Sequence, residues 1–220
     1  MLKIIFKKIL PNFLIIFLKK IYPFFKYLEF KIILKFLRIL NKNIFIIVGA
    51  SGTKFNSWIP TEYPYVDITD LDNLKKNFKN KEVSKILAEH VFEHLTLEDG
   101  IKSIQNFKFL LKSKGIIRIA VPDGYNPNEE YINKVKPGGT GNGADDHKIL
   151  YNYKLITKLF DKDFEIKFLE YFDENGKFIF NSYENNEKNG YIRRSRFNDK
   201  RNSQNQINYN SIILDAKLLK

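Results

Sequence analysis

The chain of 220 residues contains no cysteine. That absence excludes disulfides, cysteine-ligated zinc, iron–sulfur clusters and thiol catalysis together. It is compatible with a reducing compartment. Acidic residues are scarce at the start of the chain, where residues 1–43 hold ten Lys and Arg against one acid, Glu29. Long apolar runs are missing there too. The longest uncharged stretch of the segment, Ile9–Leu18, is half the ~20 residues that span a bilayer, and it contains Pro11 and Asn12. A secretory signal is not expected either, because Lys19 and Lys20 follow the apolar stretch without a small-residue cleavage site.

What is present is basic and greasy. Lys and Arg number 37 against 25 Asp and Glu, a formal charge of +12. Residues 1–43 carry +9 of it, and the remainder is nearly balanced at +3. The excess therefore does not indicate nucleic acid, and no nucleic-acid partner is expected. Hydrophobic residues make up 44% of the chain, which excludes a disordered tail protein. The length suits one domain with a short appendage, divided here as 1–43 and 44–220.

Pro11 and Pro23 are expected to divide the appendage into helical pieces, since proline interrupts the helical ladder. Lys31, Lys35, Arg38 and Lys42 recur on one helical face, with Phe30, Ile33, Leu34, Phe36, Leu37 and Leu40 on the remainder. This pattern suits a helix lying in a membrane interface, its lysines on phosphate headgroups at ~1 kcal/mol each. The expected location is the cytoplasmic face of the cell membrane, held peripherally on anionic lipid. The competing reading is a helical hairpin packed on the globular domain or on a second copy, and the oligomeric state stays open.

Beyond residue 43, Ile44–Val48, Val83–Glu89, Ile116–Val121 and Ser211–Ala216 read as buried strands. Trp58–Glu62 and a very short Tyr65–Ile68 read as two more. Leu71–Phe78 is a short helix. Thr96 and Asp99 form a capping box, Leu97, Ile101, Ile104, Phe107 and Leu111 follow at helical spacing, and Gly115 is the expected stop. Residues 123–147 and 181–207 read as loops, Tyr153–Asp161 as a helix. Phe164–Phe172 and Lys177–Phe180 form a hairpin about Asp173–Gly176. The alternation implies an α/β fold with an open, mostly parallel sheet. Ligands of such sheets bind beyond the carboxyl ends of the strands. That rule gathers Gly49–Thr53, Glu62, His90–His94 and Asp123–His147 into one neighbourhood.

Three clusters there carry chemistry. Gly49 and Gly52 after the first strand let backbone approach a ligand. The loop is neither G-x-G-x-x-G nor a P-loop. An acid at the end of the next strand often accepts ribose hydroxyls, and Glu62 stands there with Asp67 five residues on. Second, Glu89–His94 holds two of the three histidines. His90, Glu93 and His94 match H-x-x-E-H, so a zinc-dependent hydrolase is a minor reading, although His90 lies at a strand end rather than on a helix. Third, Gly138–His147 has the glycines of a lid, and His147 with Asp145 or Asp146 offers an imidazole and a carboxylate for proton removal. An ordered surface loop is the plainer reading of that stretch. The Arg193–Arg196 run reads as a solvated loop or as a grip for phosphate or carboxylate.

In this order, IIVGASGTKFNSWIPTEYPYVDIT, ILAEHVFEHLTLEDG, KGIIRIAVPDGYNP, PGGTGNGADDHKILYNYKLITKLF and LEYFDENGKF resemble the class I S-adenosylmethionine-dependent methyltransferases. They are most similar to a bacterial branch of predicted enzymes associated with surface-glycan (polysaccharide biosynthesis) genes. The resemblance spans residues 44–180. It implies a Rossmann-like seven-stranded sheet with an antiparallel last strand inserted near its edge. It implies S-adenosyl-L-methionine as cofactor, bound by Gly49, Ala50, Gly52, Glu62, Asp67, Glu89 and His90. The spacing of about a dozen residues from Gly49 to Glu62 departs from the family, whose long first helix is reduced to a loop here.

The function expected is methyl transfer to an acceptor hydroxyl on a small molecule, glycan or lipid-linked sugar. His147 is the first candidate base, oriented by Asp145 or Asp146, and His90 is the second. His94, Asp123 and Asp145 are candidate substrate contacts. The alternative from another class is a non-catalytic, membrane-attached binding module that retains the fold.

Overall fold

The computed structural model describes residues 12–204 and 206–220. Pro11 and the basic residues before it lie outside the described residues. The chain divides into two compact units, Met1–Lys42 and Asn43–Lys220.

The first unit contains one long helix, α1 (Asn12–Ile39). It runs through Pro23 without a break, where two pieces were expected. A proline inside a helix forfeits one hydrogen bond and crowds the turn before it, and the ladder on both sides outlasts that local loss. No helix among the described residues is long and apolar enough to cross a membrane. Phe25, Leu28, Ile32, Phe36 and Ile39 of α1 are exposed. Their spacing of three, four, four and three residues places them on one face.

The second unit is built on a single sheet. Its strands are β1 (Ile44–Val48), β2 (Trp58–Pro60), β3 (Val83–Glu89), β4 (Leu111–Pro122), β5 (Phe164–Phe172), β6 (Phe178–Phe180) and β7 (Ser211–Leu218). The order is β2-β1-β3-β4-β7-β5-β6. The first four pair parallel, and β7 lies antiparallel between β4 and β5. This is the open Rossmann-like α/β sheet with its last strand inserted, as expected. Continuous apolar runs such as Ile44–Val48 are buried along nearly their whole length, as strands covered on both faces must be.

Helices supply the crossovers that parallel strands need. α2 (Leu71–Asn77) is capped by Asp70, whose carboxylate accepts the amides of Asp72 and Asn73. α3 (Leu97–Leu110) starts at Thr96, whose Oγ1 accepts the amide of Asp99 at 3.1 Å. α3 passes directly into β4 at Leu111, and Gly115 is not its stop. Gly115 sits in an irregularity where the β3–β4 register shifts, Val83 pairing with Leu111 and Lys85 with Ile116. α4 (Glu129–Val135) lies inside the expected loop 123–147. Asn128 caps it, and Tyr131 and Val135 bury one face. α5 (Tyr153–Ile156) continues as a 3-10 turn, Thr157–Leu159.

Two further expectations change. β2 ends at Pro60, and Tyr65–Ile68 is a turn rather than a strand. There Asp67 accepts the amide and hydroxyl of Thr69 at 2.9 and 2.7 Å, drawing the backbone away from a ladder. The described residues of 181–207 are irregular as expected apart from a 3-10 turn, Glu187–Asn189, yet Ile192 is buried in a cluster with Ile47, Trp58, Leu87 and Ile213. Arg118 of β4 ties it down. Its guanidinium meets Asp215 of β7 at 2.7 and 2.8 Å and donates to the carbonyls of Glu184 and Gly190.

Candidate active site

A polar cleft of about 240 Å³, open to solvent, lies at the carboxyl ends of β1 and β3. Gly49, Ala50, Ser51 and Thr53 line it from the glycine loop, and Glu89, His90 and His94 from the segment after β3. Asn142, Gly143 and His147 add the glycine-rich segment, and Arg193 and Arg194 the late loop. The sheet rule thus gathers residues from four distant parts of the sequence.

The glycine loop folds back on itself. Gly49 has φ +57, and the Thr53 amide donates to the Ala50 carbonyl at 2.7 Å. A Cβ at Gly49 would lie 2.8 Å from Cγ2 of Val91, so glycine brings the loop against the segment after β3. Glu62 is exposed at the loop's margin and does not line the cleft. Partial desolvation raises its pKa from the ordinary value, while the amides of Ser51 and Gly52 favour its charged form. Gly52 and Asp67 also stand outside the lining.

Glu89 closes the floor. Its Oε1 accepts the Arg194 amide at 2.9 Å, while Oε2 is buried and has no hydrogen-bond partner. The Arg193 and Arg194 guanidiniums stand 3.7 and 3.8 Å from this carboxylate, beyond hydrogen-bond reach. An orphaned acceptor beside two cations suits a zwitterion, with its ammonium on Glu89 and its carboxylate on the arginines. The methionine moiety of S-adenosylmethionine is such a group, so these residues fit the implied cofactor. Sequence reasoning named Glu89 and left the Arg193–Arg194 pair undecided. Only the tertiary fold brings the two together.

All three histidines meet around Glu93, a carboxylate with no solvent exposure. Glu93 lies in a 3-10 turn, Phe92–His94, whose carbonyl at Glu93 accepts the Lys148 amide at 2.7 Å. That bond ties the turn to the segment bearing His147. Oε1 of Glu93 pairs with His90 Nδ1 at 2.9 Å and lies 4.0 Å from His147 Nε2, while Oε2 is buried without a hydrogen-bond partner. Burial pushes the Glu93 pKa up, and His90, the backbone amide of Glu93 and His94 together hold it below the ordinary value. His90 has φ +57 and lies 3.1 Å from the Ser211 hydroxyl.

The carboxylates predicted beside His147 are arranged otherwise. His147 Nδ1 donates to the Val135 carbonyl at 2.7 Å, so backbone orients this ring. Asp146 pairs with His94 at 3.2 Å, and Asp145 is exposed. Asp123 is fully buried outside the cleft lining. Its oxygens accept the Tyr125 and Phe172 amides and the Asn210 side chain, and burial lifts its pKa to about 6. H-x-x-E-H is likewise not on an α-helix, and the donors that converge are Glu93, His94 and His147 rather than His90, Glu93 and His94.

No family model and no curated protein sequence matches the chain. Solved structures do. A S-adenosylmethionine-dependent methyltransferase from Archaeoglobus fulgidus is 14% identical, with 95% of this chain and all of that one covered and a TM-score of 0.42. One from Thermotoga maritima is 10% identical over 84% of this chain and 76% of that one, with a TM-score of 0.45. One from Methanosarcina mazei is 10% identical over 81% and 93%, with a TM-score of 0.43.

Proposed function

We propose that this chain transfers a methyl group from S-adenosylmethionine to a hydroxyl of an acceptor. The observation that carries the reading is the Glu89 carboxylate, its Oε2 without a hydrogen bond beside Arg193 and its Oε1 beside Arg194, in a cleft at the carboxyl ends of β1 and β3. Glu89 and the two arginines hold the amino-acid end of the cofactor. Gly49 and Ala50 let the backbone approach it, and Glu62, outside the cleft lining at the margin of the glycine loop, is assigned the ribose hydroxyls that extend past the cleft. When bound, the cofactor supplies a methyl group already activated on a sulfonium.

The protein's own part is then placement and proton management. The acceptor enters over His94 and His147, with Asn142 and Gly143 covering it. Donation from His147 Nδ1 to Val135 leaves Nε2 of the neutral ring as a proton acceptor. That nitrogen takes the hydroxyl proton as the oxygen attacks. Calorimetry with S-adenosylmethionine tests the reading. Binding that weakens in Glu62→Ala supports it, and no binding at millimolar ligand refutes it in favour of a non-catalytic module.

The acceptor we assign is a sugar hydroxyl, on a glycan or lipid-linked. Its support is α1, where the exposed face of Phe25, Leu28, Ile32, Phe36 and Ile39 runs beside the row of Lys31, Lys35 and Arg38. An apolar face flanked by cations is the pattern of a helix lying on anionic lipid. We assign the protein to such a surface as a peripheral component.

A further inference from the structure

We propose that Glu93, His94 and His147 form a binding site for one divalent transition-metal cation. One donor atom of each lies within 4.8 Å of the others. Two imidazoles and a carboxylate suit zinc or manganese better than calcium, which prefers an all-oxygen shell. Donors bound at about 2.1 Å stand roughly 3–4 Å apart around such an ion. The Glu93–His147 separation of 4.0 Å is already in that range.

The second observation is Glu93 itself. Its side chain has no exposure, and its Oε2 has no hydrogen-bond partner. A buried carboxylate in that condition is costly unless something cationic meets it. His90 stands at one oxygen and leaves the other unmet.

The third is the outer shell. Nδ1 of His147 is engaged by the Val135 carbonyl and Nδ1 of His94 by the Asp146 carboxylate. Each contact fixes its ring and leaves Nε2 as the free donor. Carbonyl or carboxylate partners on the remote nitrogen are the usual supports of metal-bound histidines. The arrangement gives Asp146 a purpose although it does not reach His147.

The site borders the cleft through His94 and His147. A hydroxyl ligated there is acidified by the cation. This consequence rests on the methyl-transfer reading, whereas cation binding does not. Proton acceptance and ligation compete for Nε2 of His147, so in the loaded protein the cation acidifies the hydroxyl and its proton leaves to water in the open cleft.

The test is calorimetry on the full-length, chelator-treated protein with Zn²⁺, Mn²⁺ and Mg²⁺, and the visible spectrum with Co²⁺. One equivalent of Zn²⁺ or Mn²⁺ is expected, with Co²⁺ giving ligand-field bands. His94→Ala and His147→Ala should each weaken binding at least ~100-fold, and Asp146→Asn ~10-fold. Glu129→Gln, outside the cluster, should bind as wild type. Circular dichroism checks folding, and His147→Asn replaces an alanine variant that unfolds. No binding at millimolar cation, or binding untouched in both histidine variants, overturns the proposal. S-adenosylmethionine titrated into the same samples separates the readings. Cation binding without cofactor binding refutes methyl transfer alone, and the reverse refutes the metal site alone.

Discussion

Glu89→Gln tests the cleft most directly. Glu89 Oε1 already holds the Arg194 amide, and Oε2 is the orphan assigned to the ligand's ammonium. Glutamine keeps the first contact through its own Oε1. At the second position it replaces a charged acceptor with an NH₂ donor, which repels an ammonium. A hydrogen bond to a charged group contributes about 1.5–3 kcal/mol. The expected loss is therefore roughly 10- to 150-fold in affinity. The substitution removes a desolvated charge, so the fold should not suffer. The assay is calorimetry with two ligands, S-adenosylhomocysteine and methylthioadenosine. Both carry the thio-adenosine part, and only the first carries the amino acid. Affinity for S-adenosylhomocysteine should fall by that factor, and methylthioadenosine binding should hold. Equal losses for both ligands, or no loss for either, would refute the zwitterion assignment.

The other predictions concern stability and surface. Burial raises the Asp123 pKa from 3.8 to about 6, so the folded protein holds that proton more tightly than the unfolded chain. The stability this group adds is complete below pH 3.8 and is lost as pH rises through 6, about 3 kcal/mol in all. In urea unfolding, the stability of wild type relative to Asp123→Asn should fall by about 3 kcal/mol as pH rises across that window; a constant difference contradicts it. Arg118→Met strands Asp215 and two carbonyls and should cost about 3 kcal/mol or more in urea unfolding, part of it regained by adding Asp215→Leu. A loss below roughly 0.5 kcal/mol would show the pair to be dispensable. Ile32→Asp with Phe36→Asp should lower sedimentation with phosphatidylglycerol vesicles at least ~10-fold, since each buried apolar side chain contributes about 1.5–3 kcal/mol. Unchanged sedimentation would remove the membrane assignment.

Some of the architecture was open to reading because its signals are local. Ile44–Val48 and Ile116–Val121 are continuous β-branched runs, and such runs need two covered faces. Thr96 and Asp99 satisfy each other across one turn of α3. Asp173 closes the β5–β6 turn through the amides of Asn175 and Lys177. α4 was missed although Asn128, Glu129 and Glu130 mark a helix start, because the Pro, Gly and Asn around it dominate the composition. Tyr65–Ile68 carries strand formers, and the side chain of Asp67 overrides them.

The sequence alone determined the α/β class, the places where strands end in glycine, acid or histidine, and the concentration of charge in the first fifth of the chain. These follow from periodicity and local hydrogen bonding. Tertiary structure alone decided what those residues meet. Arg193 reaches Glu89 and His147 reaches Glu93 only because parallel strands bring their carboxyl ends to one edge. Asp146 turns to His94 from the 3-10 turn Ala144–Asp146, and Asp123 goes into the core directly after β4. Contacts across fifty or a hundred residues depend on register and strand order, and a single sequence does not encode those where they can be read.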